Sequence, residues 1–276
     1  MLPPEGEPAP AREIAPAKLN LALHVRGRRA DGRHDIETIF AFCVDGDRLS
    51  AVAAESLSLE VSGPFAAELG DPDGNLAMKA ARTLQAAAGT EQGAAIRLDK
   101  KLPVAAGIGG GSADAAAALR LLTSLWGIDP SHAERVGAQL GSDVPACLLS
   151  LPMRGAGAGD ELTPVDISDL SGTPVLLVNP RVQLQTADVF AGWDGVDHGP
   201  LGDWRQGRND LEDSAIALAP QVRVVRDWLS VQPGADFARM SGSGATCFAL
   251  FDDEEQRDQA ADRVPREWWR LATSLR

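Results

Sequence analysis

A glycine-rich run followed at once by a helix pattern constrains this chain more than any other feature. Four of the five residues in 107–111 are glycine, so the backbone is free to take positive φ and no side chain covers its N–H groups. Ser112 stands where a helix N-cap belongs, Asp114 falls in the predicted first turn, and an Ala/Leu-rich stretch runs to Trp126. Converging N–H donors and the positive end of a helix dipole bind phosphate. A tight strand-to-helix turn without a ligand is the alternative.

The spacing of this loop excludes three familiar kinds of nucleotide site. A P-loop requires a Gly-Lys pair, and the chain contains none. A dinucleotide-binding fingerprint counted from Gly107 requires glycine at position 112, where serine stands. The His-Arg-Asp and Asp-Phe-Gly signatures of protein kinases are also missing from the sequence.

Composition limits the class of protein. With 276 residues, 44% of them hydrophobic, the chain is long enough for one large domain or two smaller ones. The net charge of −13 argues against nucleic acid as a partner. Three scattered cysteines and four dispersed histidines favour a reducing compartment and no zinc site. Without a signal peptide or a long apolar stretch, the sequence predicts a cytoplasmic protein with no membrane partner.

The strand pattern near the N-terminus places two polar side chains next to each other. From Lys18 onward apolar and polar residues alternate, so Lys18 and Asn20 project from the same face. Only four of the 26 basic residues are lysine, which favours a role for Lys18 as a compact point charge, with chance placement as the alternative. A solvated edge strand would place polar groups in the same way and stays open as an alternative.

Two motifs carry a resemblance to a known family. The loop from Pro103 to Ala113 resembles the Pro-x-x-x-Gly-Leu-Gly-Ser/Gly-Ser-Ala/Ser loop of the GHMP small-molecule kinases. Ala15-Pro-Ala-Lys-Leu-Asn-Leu21, together with Asp31-Gly-Arg-His34, is similar to a narrower family among them, the 4-diphosphocytidyl-2-C-methyl-D-erythritol kinases of the non-mevalonate isoprenoid route. Ser241-Gly-Ser-Gly-Ala245 resembles the third motif of the superfamily, which packs against the phosphate loop.

The resemblance implies an α+β fold with two domains. The N-terminal domain is expected to resemble ribosomal S5 domain 2 and the C-terminal domain to be ferredoxin-like. We predict a disordered tail over residues 1–12, the ATP-binding domain over 13–160 and the second domain over 161–276. A monomer or weak homodimer is expected.

The resemblance also implies the nucleotide site. ATP and Mg²⁺ are expected, with Ser112 as a possible metal ligand. Asn75, which also reads as a helix cap, and Lys100 are expected along the adenine pocket. The residues expected to hold the phosphates are Pro103, Val104, Ala105, Ala106, Gly107, Ile108, Gly109, Gly110, Gly111, Ser112 and Ala113.

The remaining site residues follow the same family pattern. Asp143, in Leu-Gly-Ser-Asp-Val-Pro, matches the catalytic base, although a helix cap explains its position equally well from sequence alone. Lys18 is expected beside it. For the substrate, 4-CDP-2-C-methyl-D-erythritol, the matching residues are Asn20, Arg33, His34, Thr186 and Phe190. Arg33 replaces the aromatic residue that stacks on cytosine in the family, and we expect its guanidinium plane to cover one face of the base.

Two other functions fit part of this pattern. A homoserine or mevalonate-type kinase would share the glycine loop without the Asp-Gly-x-His turn. A nucleotide-binding regulatory protein descended from a kinase would keep the loop and lose the base or the lysine, but Lys18 and Asp143 are both present.

Overall fold

Residues 10–276 are described by a computed structural model, in which contacts divide the chain into two α+β units. The first unit contains the residues up to 15 together with 46–102 and 111–148. The second contains residues 16–45, 103–110 and 149–276. Each unit therefore consists of three segments of the chain. This division differs from the predicted one, which has a single boundary near residue 160. That boundary stays a prediction.

The described chain contains ten strands and eight α-helices, often in runs of two or three elements of one kind. The strands are β1 (Ala11–Arg28), β2 (His34–Ala54), β3 (Ser58–Ser62), β4 (Gly93–Asp99), β5 (Met153–Ala156), β6 (Glu161–Pro164), β7 (Pro174–Asn179), β8 (Ala235–Met240), β9 (Cys247–Phe251) and β10 (Trp269–Ser274). The helices are α1 (Leu76–Ala88), α2 (Gly110–Trp126), α3 (Ser131–Leu140), α4 (Val144–Leu149), α5 (Thr186–Ala191), α6 (Glu212–Leu218), α7 (Gln221–Ser230) and α8 (Glu254–Arg263).

In the first unit, strand β4 has a partner on each side. The second half of β2 runs antiparallel to it, with Arg48 opposite Asp99, and β3 runs parallel to it, with Ser58 opposite Ala95. Helix α2 is buried on most of its sides, which its Ala/Leu composition explains, because a helix that is apolar all round requires cover all round. Helices α1 and α3 pack against each other.

In the second unit, residues 149–276 form an antiparallel sheet of four strands in the order β10-β7-β9-β8. Strand β7 is buried along its whole length, as its unbroken apolar run predicts. Helices α7 and α8 contact this sheet and enclose a core that includes Val178, Val225 and Phe251. Strand β1 pairs with β2, and the first half of β2 pairs with β5.

The N-terminal tail prediction falls mainly on residues 1–9, which lie outside the described residues. Strand β1 already includes Ala11 and Arg12, so the predicted tail overlaps the fold by two residues. Within residues 10–276, no helix combines the length and the apolar character that crossing a bilayer requires.

Candidate active site

The glycine loop has the backbone conformation that its composition predicts. Gly107 and Gly109 take φ of 73° and 66°, and Ala105 also has positive φ at 52°. A Cβ added to Gly107 would lie 2.5 Å from the carbonyl oxygen of Ser241, so the position requires glycine both for its φ and for its space. The loop leads directly into α2, which starts at Gly110.

The start of α2 corrects two expectations. Because the helix begins at Gly110, Ser112 is its third residue and not its N-cap. Asp114 therefore lies beyond the first turn, where its side chain is buried with 2% of its surface exposed. Free N–H groups in the first turn of a helix still make an anion site without a capping side chain.

The third motif packs against this loop, as predicted. The Ser241 hydroxyl donates to the carbonyl oxygen of Gly107 over 2.9 Å, and the Thr246 N–H donates to the carbonyl oxygen of Ala106 over 3.2 Å. Ser241 also accepts a hydrogen bond from the Asn20 N–H. One buried hydroxyl thus joins the turn after β8, the glycine loop and strand β1.

Lys18 lies against the loop within the second unit. Its backbone N–H donates to the carbonyl oxygen of Ile108 over 3.0 Å, and a Cβ on Gly109 would approach the Lys18 Cβ and Cε atoms at 3.1 Å. The ammonium lies 4.6 Å from the ring centroid of Phe40. With only 3% of Lys18 exposed, the alternative that this polar face of the strand is solvated is wrong.

Asn20 is held in one orientation by its neighbours. Its amide nitrogen Nδ2 donates to the Thr38 hydroxyl over 2.8 Å, and that hydroxyl donates to the carbonyl oxygen of Ala22. The buried Oδ1 atom of Asn20 has no hydrogen-bond partner among the described residues. An acceptor fixed in this way suits a donor from a bound molecule, because leaving it buried and unpaired is costly.

Aromatic side chains cluster around His34. Its ring stacks on Phe190 at a centroid distance of 4.8 Å and meets the edge of Trp193 at 5.7 Å. The His34 Nε2 and Trp193 Nε1 atoms are buried without a hydrogen-bond partner among the described residues. Burial, with a smaller contribution from Arg28, lowers the pKa of His34. A neutral imidazole of this kind is suited to reading the edge of a base.

Two predicted substrate residues lie at the surface of the second unit. The Arg33 guanidinium donates to the Asp31 carboxylate from Nε at 3.0 Å and from Nη2 at 2.8 Å, with 54% of its side chain exposed. Thr186, also exposed, begins α5, and its hydroxyl shares a 3.1 Å hydrogen bond with Ser243 in the glycine turn after β8. The role of both in substrate binding stays a prediction.

Lys100 occupies a different environment from the adenine pocket expected for it. Its Nζ atom lies 2.6 Å from Asp47 Oδ2 and 2.6 Å from Asp114 Oδ2, and only 1% of the side chain is exposed. Because its ammonium already donates to two buried carboxyl groups, the structure does not support the expected contact of this side chain with the nucleotide. Burial raises the pKa of Asp114 to about 8 against the opposing effect of Lys100.

Besides Lys100 and Gly111, the predicted site residues of the first unit are Asn75, Ser112, Ala113 and Asp143. Asn75 is the N-cap of α1, with its side chain accepting from the Ala77 N–H over 2.8 Å. Ala113 is buried in α2, and Ser112 is partly exposed beside it. Asp143 is partly buried and immediately precedes α4, where its carbonyl oxygen accepts from the Cys147 N–H.

Three important side chains, Trp193, Thr38 and Asp47, were not found from the sequence, because their partners lie far away in the chain and no local pattern marks them. Asp114 was noted only as a residue of the predicted first turn, without its contact to Lys100. Ser241 had a usable signal, because it stands at the start of the Ser-Gly-Ser-Gly-Ala motif.

Comparison with known proteins agrees with this fold. The family description "GHMP kinases N terminal domain" matches residues 75–150, and "GHMP kinases C terminal" matches residues 197–271. A solved structure titled as 4-(cytidine 5'-diphospho)-2C-methyl-D-erythritol kinase superposes with a TM-score of 0.82 at 32% identity, covering 96% of this chain and 98% of that one. A homoserine kinase from Cytophaga hutchinsonii shares the fold alone. It is 17% identical with a TM-score of 0.68, and the match covers 100% of this chain and 98% of that one. The predicted fold of a two-domain GHMP kinase is confirmed.

Curated relatives match over nearly the whole chain. A protein from Rhizorhabdus wittichii named 4-diphosphocytidyl-2-C-methyl-D-erythritol kinase is 56% identical over 96% of this chain and 94% of its own length. One of the same name from Novosphingobium aromaticivorans is 50% identical over 100% of this chain and 96% of its own length. The chain therefore belongs to the 4-diphosphocytidyl-2-C-methyl-D-erythritol kinase family of GHMP kinases.

Proposed function

We propose that this chain transfers the γ-phosphoryl group of ATP to the 2-hydroxyl of 4-CDP-2-C-methyl-D-erythritol, a step of non-mevalonate isoprenoid biosynthesis. Full-length identity of 56% to a protein named for this activity supports the substrate. The observation that carries the proposal is the packing of Lys18 against Gly109, because it places a cation beside the loop that would hold the phosphates.

Phosphoryl transfer requires positioned donors and an oriented hydroxyl more than covalent chemistry. The N–H groups of the loop from Gly107 into the first turn of α2 bind the phosphates. The substrate oxygen forms a bond to the γ-phosphorus, the bond to the bridging oxygen of ADP breaks, and the hydroxyl proton passes to the Asp143 carboxylate. Lys18 stabilises the negative charge of the transferred group.

Mg²⁺ would neutralise charge on the β- and γ-phosphates when bound. Within residues 10–276 no group of three or more His, Cys, Asp or Glu side chains is arranged to hold a metal. This fits Mg²⁺, which keeps several waters and is held largely by substrate phosphates. The partly exposed Ser112 hydroxyl at the start of α2 is the ligand that we assign to it.

The cytidyl group would be recognised by the aromatic cluster. Neutral His34, stacked on Phe190, presents Nε2 to the base edge, and the unpaired Asn20 Oδ1 accepts from a hydroxyl of the substrate. A cytoplasmic location and a monomeric or weakly dimeric state complete the proposal.

Replacing the proposed catalytic base, Asp143, tests this function. We expect Asp143→Asn to lower kcat by about 10²–10⁴-fold while the affinity for ATP stays unchanged, since an amide cannot accept the proton. Asp262→Asn, on the exposed face of α8, is the matched control and should retain full activity. ADP release is measured with the cytidyl alcohol, homoserine and mevalonate. An unchanged kcat in Asp143→Asn contradicts the assignment of Asp143 as the catalytic base. Faster turnover of homoserine or mevalonate than of the cytidyl alcohol contradicts the proposed substrate.

A further inference from the structure

A buried ion cluster lies at both ends of the glycine loop. We name Asp47, Lys100 and Asp114 the anchor cluster; their exposed fractions are 0%, 1% and 2%. All three lie in the first unit. Two carboxyl groups and one ammonium in a dry interior are costly to bury, and replacing such groups by apolar ones is often neutral or stabilising. Stability alone therefore does not explain the cluster.

The cluster holds the chain where it enters the loop. Asp47 Oδ1 accepts from the N–H groups of Lys101 at 2.6 Å and Leu102 at 2.8 Å, the last residues before Pro103. Its other oxygen, Oδ2, accepts from Lys100 Nζ. One carboxylate therefore fixes three consecutive residues.

The cluster also holds the helix that follows the loop. Lys100 Nζ donates to Asp114 Oδ2 on α2, across 14 positions of the sequence. That hydrogen bond joins the segment before the loop to the helix after it, so contacts between side chains set the distance between the two ends of the loop. Asp114 Oδ1 keeps no hydrogen-bond partner among the described residues, so only one of its oxygens is engaged.

We propose that the anchor cluster positions the glycine loop for ATP, with Lys100 joining the entrance of the loop to α2. This inference rests on the proposed function, because the loop is taken to hold the phosphates of ATP. A loop whose ends are fixed pays less ordering entropy when it closes on an anion. Asp47, Lys100 and Asp114 are positioning residues, since none of them is assigned a contact with substrate.

Asp114→Ala tests the bridge with little risk to folding. It removes the contact to α2 and leaves Lys100 paired with Asp47, and alanine suits a helix in which most neighbours are alanine. We expect the Kd for a non-hydrolysable ATP analogue with Mg²⁺, measured by titration calorimetry, to rise about tenfold. KM for ATP should rise equally, with kcat and KM for the cytidyl alcohol unchanged.

Two variants serve as controls. Asp114→Asn keeps an oxygen acceptor for Lys100, so the Kd for the analogue should stay within about threefold of the wild-type value. Lys101→Met replaces the neighbouring lysine, whose 41% exposed side chain lies near Asp99, and should change nothing. If Asp114→Ala does not fold, Asp114→Leu removes the acceptor, fills the space of the carboxyl group, and keeps both the Lys100–Asp47 pair and the two backbone hydrogen bonds of Asp47.

The outcomes separate positioning from a purely structural role. A lowered Tm with wild-type Kd for the analogue, in either bridge variant, overturns the inference. Equal losses in Asp114→Ala and Asp114→Asn also overturn it, because the acceptor would then be irrelevant. Since analogue binding does not involve the alcohol, a wild-type chain that binds the analogue but does not phosphorylate the cytidyl substrate contradicts the proposed function and leaves this inference intact.

Discussion

Arg33 is the residue at which this chain departs most clearly from its family pattern. Its guanidinium donates hydrogen bonds to the Asp31 carboxylate at the surface, whereas the rings of His34 and Phe190 stack on each other. A planar guanidinium is able to cover a base, and stacking at an exposed site is worth about 0.5–1 kcal/mol. The aromatic pair should therefore contribute more to cytosine affinity than Arg33 does.

Substitutions of Arg33 and Phe190 test which of the two side chains contributes more to cytosine affinity. We expect Arg33→Ala to raise the KM for the cytidyl alcohol about two- to fivefold, and Phe190→Ala by about tenfold or more, because Phe190 also holds His34 in place. Arg33→Lys is the matched variant, since it keeps the charge and loses the plane. An unchanged KM in Arg33→Ala would remove Arg33 from the site, and full recovery with lysine would show that its charge acts and not stacking.

At the scale of elements, the packing of the glycine loop gives a sharp prediction about stability. We expect Gly107→Ala to lower the free energy of unfolding by at least about 2 kcal/mol, because alanine at φ of 73° is strained and its Cβ would lie 2.5 Å from the Ser241 oxygen. Gly111→Ala, in the first turn of α2 with nothing within 4 Å, should raise it by about 0.5–1 kcal/mol. Urea unfolding of both variants measures the difference, and similar values would show that the loop tolerates a side chain.

Elements with local signals were predictable from the sequence. Helix α1 has the expected cap at Asn75 and the expected left-handed glycine, Gly89, at its end. The start of α2 was placed three residues late, because glycines of a loop and glycines of a first helical turn look alike in sequence. Lys100 was misread for a different reason: its partners Asp47 and Asp114 meet it only in the folded chain, and no spacing of residues reveals a buried ion cluster.

For the whole molecule, buried groups set how stability depends on pH. His24 is 2% exposed, its Nδ1 atom lies 3.0 Å from the carbonyl oxygen of Gly199, and its Nε2 atom accepts from the Arg208 N–H. This arrangement requires a neutral ring with the proton on Nδ1. Burial lowers the pKa of His24 below 6.5, and the pKa of His34 is lowered in the same direction. The unfolded chain therefore binds more protons than the folded one below pH 6.5, so the two histidines make stability fall as the solution is acidified.

Asp114 acts in the opposite sense, because its pKa is raised to about 8 and the folded state takes up a proton that the unfolded state does not hold until about pH 3.8. A pH profile of the wild type alone would thus combine two opposing slopes. Comparison with His24→Gln separates them, because glutamine also donates and accepts a hydrogen bond but does not titrate, and Asp114 is common to both chains. We expect the urea midpoint of the wild type to fall relative to that of His24→Gln between pH 7 and pH 5. Parallel profiles would mean that His24 is not held neutral by the fold.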